Sequence, residues 1–238
     1  MKKKSELTAD DMKKAAALAV LPKIQADMVV GLGTGSTANH FTHALAEKVK
    51  AGLKVKCVPT SETTAKLAQS LGLELTTLED HPFIDITVDG ADEIDADFRL
   101  IKGGGGALLI EKIVASSSKF MVVIADESKQ VKTLGKFALP VEVVPFGVKA
   151  TAWKLERAFK TFDMEPKLTL RTKDGKAFRT DAGNCIIDCA CGEIKQADRL
   201  EFMINNLPGV VNNGLFIGIC GVAYIAKADG SVEELLRA

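Results

Sequence analysis

The stretch DITVDGADEIDADFRLIKGGGGALLIEK, Asp85–Lys112, decides how the rest of the chain is read. It opens as a strand, because Ile84, Ile86 and Val88 alternate within an apolar run with the period of two that a strand shows. The run breaks at Gly90 into an acidic loop with Asp89, Asp92, Glu93 and Asp95. Lys102 follows, then four consecutive glycines, Gly103 to Gly106, and a helix over about 107–115 that carries Glu111. In an open α/β sheet, ligands bind outside the carboxyl ends of the strands. Acids, a lysine and a flexible turn leaving such ends imply a site for a small anionic molecule.

Upstream, DMVVGLG reads as a buried strand, after which come Gly31, Gly33 and Gly35, and then Ser36 and Thr37 at the start of a helix reaching about Val49. A strand, a glycine turn and a helix N-terminus form an anion cradle, since the first N–H groups of the helix and its positive end favour negative charge. The dinucleotide fingerprint needs G-x-G-x-x-G with an acid about 20 residues later. Here the glycines run G-x-G-x-G and the next strand, Lys54–Val58, ends in Pro59. A P-loop needs a lysine that this turn lacks. What remains is a hydroxyl-rich turn, Thr34, Ser36 and Thr37, suited to a monophosphate or a carboxylate; a tight turn used only for packing is the alternative.

Working outward, Thr8 and Asp11 form a capping-box pattern before a helix whose face is read as Ala16, Leu18, Ala19 and Leu21, with Pro22 near its end. PTSETTAKLAQSLG gives a capped helix ending at Gly72, and Glu74–Thr76 reads as a short strand. KFMVVIAD is a further strand, with Lys129 in the loop beyond Asp126. This alternation predicts an α/β fold with a doubly wound, mostly parallel, Rossmann-like sheet. The pattern then changes. Strand Val141–Val144, helix Ala150–Phe162, strands Lys167–Arg171 and Cys185–Cys189 joined around Asp174-Gly175, and helix Lys195–Asn206 make most of a ferredoxin-like unit. A smaller α+β domain is therefore expected at 131–207, with 1–130 and 208–238 forming the Rossmann-like domain, to which the strand Val222–Ala226 returns.

Composition narrows the function classes. The chain has 238 residues, 47% hydrophobic and 26% charged, with Lys+Arg 31 against Asp+Glu 31. No basic excess marks it as a nucleic-acid binder, and one Trp and one Tyr make a poor base-stacking platform. No run of about 18 apolar residues indicates a membrane span. Three lysines at 2–4 are followed by SELTADD where a signal peptide has its apolar core, so a cytoplasmic location is expected. Five cysteines fit reduced thiols there. Cys185, Cys189 and Cys191 are spaced C-x3-C-x-C, not a usual zinc spacing, and read as packed thiols rather than a metal site.

Glu111, flanked by apolar Leu108, Leu109 and Ile113, suits a base for a carbon-bound proton; a solvated glutamate is the plainer alternative. Lys102 could stand beside an oxygen that becomes negative as that proton leaves. Asp89 and Asp92 could bind sugar hydroxyls or move a hydroxyl proton, whereas a calcium loop needs a spacing and ligand count that are missing. Glu93 and Asp95 read as solvated. Together the features suit proton shuttling on a phosphorylated sugar, a chemistry that needs no redox cofactor.

These residues also carry a resemblance. GLGTGSTA (31–38), PTSETTA (59–65), DITVDGADEID (85–95), KGGGGALLIEKI (102–113), ADESKQV (125–131), LPVEVVPF (139–146) and LPGVVNNGLF (207–216) resemble, in order and over nearly the whole chain, the ribose-5-phosphate isomerases of the A type. The resemblance implies reversible conversion of D-ribose 5-phosphate to D-ribulose 5-phosphate in the non-oxidative pentose phosphate pathway, with no metal or organic cofactor, in the cytosol, by a protein that is a homodimer in many members. It implies that Glu111 is the proton acceptor and Asp89 acts in ring opening. It further implies that Thr34, Gly35, Ser36 and Thr37 form the substrate-binding turn, that Asp89, Gly90, Ala91 and Asp92 form the sugar-binding loop, that Lys102, Gly103, Gly104 and Gly105 form the lysine–glycine turn, and that Lys129 is a further substrate contact. Gly106 departs from the family's pattern, which has alanine there; a fourth glycine is expected to loosen the turn. Competing readings are a sugar-phosphate sensor without turnover, and a coenzyme A transferase or amino-sugar phosphate deaminase on a related fold.

Overall fold

The computed structural model describes residues 7–237; the lysines at 2–4 lie outside the described residues. In chain order the elements are α1 (Ala9–Val20), β1 (Val29–Leu32), α2 (Ser36–Lys50), β2 (Lys56–Pro59), α3 (Glu62–Ser70) and β3 (Ile86–Asp89). Next come β4 (Glu93–Ile94), β5 (Leu100–Ile101), α4 (Leu108–Ser116), β6 (Met121–Asp126), β7 (Leu139–Val143) and α5 (Val148–Lys160). The remainder is β8 (Lys167–Leu170), β9 (Thr172–Lys173), β10 (Lys176–Ala177), β11 (Cys185–Ala190), α6 (Ala197–Asn205), β12 (Val210–Asn213), β13 (Leu215–Phe216), β14 (Cys220–Ala226) and β15 (Val232–Leu236). The chain divides into two compact units. Of the described residues, one unit comprises those up to Ala91, Ile110–Gln130 and those from Ile219 onward; the other comprises Asp92–Leu109 and Val131–Gly218.

The first unit is built on a six-stranded sheet of order β15-β14-β6-β3-β1-β2. Every neighbouring pair is parallel except β14–β15. The central strands β1, β3 and β6 are buried along their whole length, as expected where helices cover both faces. This explains why Thr87 is as buried as its apolar neighbours; its hydroxyl meets that of Ser118 at 2.6 Å. Val30, Leu32, Ile86, Val88, Val122 and Ile124 form one core cluster with Ala16, Ala17 and Val20 of α1 and Phe41 and Leu45 of α2. Val29, Val58 and Ile84 pack with Val114 of α4 in another.

Thr8 closes the expected capping box with Asp11, and of the expected face Ala16, Ala19 and Leu21 pack on the core while Leu18 does not. Ala16, Ala17 and Val20 face the core, and Leu18 is 45% exposed. At about 100° per residue, Leu18 falls on the far side from that triplet. The expected strand Glu74–Thr76 reduces to a single bridge between Cys57 and Leu75. β15, which the pattern did not suggest, follows the turn at Asp229-Gly230.

The second unit carries an antiparallel sheet of order β12-β7-β11-β8 with α5 and α6 packed through Leu155, Phe159, Leu200 and Ile204. The order β7-α5-β8-β11-α6-β12 is that of a ferredoxin-like unit. Its last strand, β12, lies beyond residue 207, where the sequence pattern stopped. Asp174 and Gly175 both have positive φ, 53° and 74°, as a type I′ turn needs, and they tip a small hairpin of β9 and β10. A three-stranded sheet β13-β5-β4 brings Asp92–Leu109 into the same unit.

Candidate functional site

In the first unit, three connections leave the carboxyl ends of neighbouring strands β1, β3 and β6. After β1, the turn runs Gly33-Thr34-Gly35 into α2. Gly35 is the N-cap at φ 117°, a conformation that favours glycine. Ser36 is exposed and Thr37 half-buried in the first turn of α2, where helix N–H groups lack intrahelical partners. After β3, Asp89 is 1% exposed. Its Oδ1 accepts from the N–H of Thr34 at 3.1 Å and of Gly90 at 2.7 Å, so the acid is tied to the turn itself. Gly90 lies beside Thr37, since a Cβ on it would stand 3.9 Å from Thr37 Cβ. After β6, Asp126 caps a single 3₁₀ turn, Glu127–Lys129, and Lys129 is half-buried at its end.

The Thr34 side chain is engaged by residues for which the sequence offered no role. Its hydroxyl lies 2.7 Å from Thr60 Oγ1, 2.8 Å from Ser61 Oγ and 3.1 Å from Thr64 Oγ1. Thr60 donates to the Leu32 carbonyl and Thr64 to the Gly33 carbonyl. The start of α3 thus braces the turn. The polar run in PTSETTA was the available signal; it read as a helix cap and as part of the family resemblance, without a role for these hydroxyls.

Glu111 is 4% exposed on α4. It lies one turn before Val114, on the same helix face. Gly31 lets that face approach β1, because a Cβ there would stand 2.9 Å from Val114 Cγ1. Of the apolar residues that flank Glu111 in sequence, Leu108 is buried, whereas Ile113 is 41% exposed.

In the second unit, Lys102 is 2% exposed, and its Nζ lies 5.6 Å from the centroid of the Phe216 ring. Its backbone N–H donates to Gly214. Asp92 accepts from the Gly104 N–H at 2.8 Å, and a Cβ on Gly104 would stand 2.8 Å from the Asp92 carboxylate. Gly103 and Gly106 have positive φ, 105° and 88°, and Gly105 is exposed. From sequence, the fourth glycine was expected to loosen the turn; the structure gives position 106 a steric reason to be glycine. Gly106 precedes α4, and a Cβ on it would stand 2.5 Å from the Phe178 ring, so the ring occupies the space a side chain would need.

Glu93 and Asp95 are not solvated. Glu93 is 3% exposed and accepts from the N–H groups of Gly135 and Phe137. Asp95 is 6% exposed and pairs with Arg99 at 2.7 Å. Both were read as surface acids because their partners lie outside the acidic run. Cys185 and Cys189 are buried in the second unit's core. Burial pushes the Cys189 thiol well above its ordinary range and that of Cys191 to about 12. Among the described residues, no group of three His, Cys, Asp or Glu side chains could hold a metal ion.

A buried carboxylate on a helix and a second buried acid bound to the glycine turn after β1 are groups able to hold or move a proton. Aldose–ketose isomerases shift a proton along a phosphorylated sugar and need no hydride carrier. The chain matches the family Ribose 5-phosphate isomerase A (phosphoriboisomerase A) over residues 56–230. It is 56% identical, over 94% of its length and 98% of the relative's, to ribose-5-phosphate isomerase A of Parvibaculum lavamentivorans. Among solved structures, ribose 5-phosphate isomerase from Plasmodium falciparum superposes with a TM-score of 0.91 at 41% identity, covering 95% of this chain and 98% of that one. A D-ribose-5-phosphate isomerase in complex with phospho-erythronic acid does so with a TM-score of 0.91 at 37% identity, covering 97% of this chain and all of that one. The chain belongs to the ribose 5-phosphate isomerase A family.

Proposed function

We propose that this chain interconverts D-ribose 5-phosphate and D-ribulose 5-phosphate through an enediolate, in the non-oxidative pentose phosphate pathway. The observation that carries the reading is the likeness to ribose-5-phosphate isomerase A along almost the entire chain. Asp89 moves the hydroxyl proton that opens the sugar ring. Glu111 takes the proton from C2 and returns it to C1. Lys102 offsets the negative charge that develops on the enediolate oxygen. The turn Thr34–Thr37, with the N-terminus of α2, holds the phosphate, and Lys129 contributes a further positive charge. Gly90, Ala91 and Asp92, with the backbone of Gly103, Gly104 and Gly105, bind the sugar. Phospho-erythronic acid, bound by a solved relative, is a phosphorylated acid whose carboxylate carries charge as an enediolate does, which supports an anion-stabilising role for the lysine.

The reading includes no metal or organic cofactor, no nucleic-acid partner, a homodimer, and a cytoplasmic location. The balance of 31 basic against 31 acidic residues supports the part of the reading that excludes a nucleic-acid partner. The sensor reading gains nothing from the comparisons. The test is ketose formation from D-ribose 5-phosphate in excess chelator, with wild type and Glu111→Gln in parallel. Wild-type turnover should survive chelation, and the variant should lose about 10²–10⁴-fold in kcat, the scale of general base catalysis, with a modest change in KM. Near-wild-type kcat in Glu111→Gln removes the base from its role. Binding without conversion by wild type points to the sensor, and activity lost on chelation points to a metal.

A further inference from the structure

The glycine turn of the second unit is gripped from one side by a side chain that no motif announced. Arg171 follows β8 and is 16% exposed; its partner Asp188, on β11, is 26% exposed. Arg171 Nε donates to Asp188 Oδ2 at 2.9 Å and Nη2 to Oδ1 at 2.5 Å. This bidentate pairing fixes the plane of the guanidinium. The remaining nitrogen, Nη1, donates to the carbonyls of Gly103 at 2.8 Å and Gly104 at 3.2 Å. The Gly103 carbonyl and the Gly104 N–H belong to one peptide group. In a trans peptide they point in opposite directions. Arg171 therefore holds the oxygen of the same plane whose N–H is given to Asp92.

We propose that Arg171 is a positioning residue that sets the Asp92 carboxylate through this single peptide plane, with Asp188 as its orienting partner. The proposal rests on the isomerase reading, in which Asp92 binds the sugar, and it gives Arg171 no contact with substrate. Lysine cannot replace it, because one ammonium cannot pair bidentately with Asp188 and also reach both carbonyls.

The test is a double-mutant cycle on KM for D-ribose 5-phosphate, using wild type, Arg171→Met, Asp92→Ala and the pair. Arg171→Met should raise KM about tenfold, the scale of a lost charged hydrogen bond, with kcat lowered less. In the Asp92→Ala background the same change should alter KM less than about twofold. Arg171→Lys should behave as Arg171→Met. An equal effect of Arg171→Met in both backgrounds, or none in either, overturns the proposal. Where Arg171→Met fails to fold, Asp188→Asn enters the cycle in its place. A second readout needs no turnover and so separates this inference from the isomerase reading. Hydrogen exchange at the Gly104 amide should quicken in the variant while the amides of β7 and β11 keep their protection. Unchanged exchange at Gly104 also overturns it.

Discussion

A methyl group at position 33 would stand 2.1 Å from Asp89 Oδ1, so the hold of that acid on the turn depends on a side chain that is missing. The same scale decides what the thiols do. Burial pushes the Cys57 thiol to about 12 and that of Cys189 well above its ordinary range. Unfolded thiols ionise near ~8.5. Between ~8.5 and about 12 the unfolded state sheds protons that the folded state keeps, so stability falls as pH rises through that window and is untouched below it. The urea midpoint should therefore drop between ~pH 8.5 and ~pH 11, and drop less in Cys57→Ala. At ~pH 8 iodoacetamide should leave Cys57 and Cys189 of the native protein unmodified in a peptide mass map; labelling at the rate of a free thiol would contradict their burial. The sequence identified the acids of 85–112 but not their surroundings. Asp89, Glu93 and Asp95 are all buried, yet Glu93 is satisfied by N–H groups 42 and 44 residues away, beyond any local pattern.

At the level of elements, β1, β3 and β6 were legible because apolar runs bounded by glycine and acids leave few alternatives, and α2 and α3 because their starts carry recognisable turns and caps. The contact between them was not legible. Thr64, 1% exposed, belongs locally to the cap of α3, where its N–H is accepted by Ser61 Oγ. Its hydroxyl meanwhile donates to the Gly33 carbonyl 31 residues earlier. Thr64→Val keeps the shape and removes that donor. It should cost about 1–3 kcal/mol in urea unfolding, because the buried partners are left unsatisfied. It should also raise KM, because the turn proposed to hold the phosphate loses its brace. A variant with wild-type stability and KM would separate α3 from the turn. Gly106 gives the same lesson. Its departure from the family pattern was visible, but the reason, the Phe178 ring, lies across the unit.

For the molecule as a whole, the change of pattern near residue 131 was readable, whereas the extent of the second unit was not. Strands of two residues such as β4 and β5 carry too little periodicity to be seen. They enter the unit as a sheet in which β5 pairs with β13 and β4 with β5, and Ile101 reaches its core. β12 lies past the apparent end at 207 and pairs with β7. A fragment of residues 131–207 lacks these strands and the Glu93 carboxylate that binds Gly135 and Phe137. It should show no cooperative thermal transition by circular dichroism, while the full chain does. A sharp melt from the fragment would show that the sheet of β7, β8 and β11 stands without them.

The six-stranded sheet ends in β2 and β15, and neither offers a template on which another chain can polymerise. β2 is bridged on its outer side at Cys57 by Leu75 and carries Lys56 at its start and Pro59 at its end, and proline has no N–H to give a new neighbour. β15 sets Glu233 and Glu234 in ion pairs with Lys227 and Lys23, each at 2.8 Å. With a formal net charge of zero, the protein has no long-range repulsion to keep its copies from growing into fibres. That protection is local instead, carried by a few charged and cyclic side chains at the two rims of the sheet.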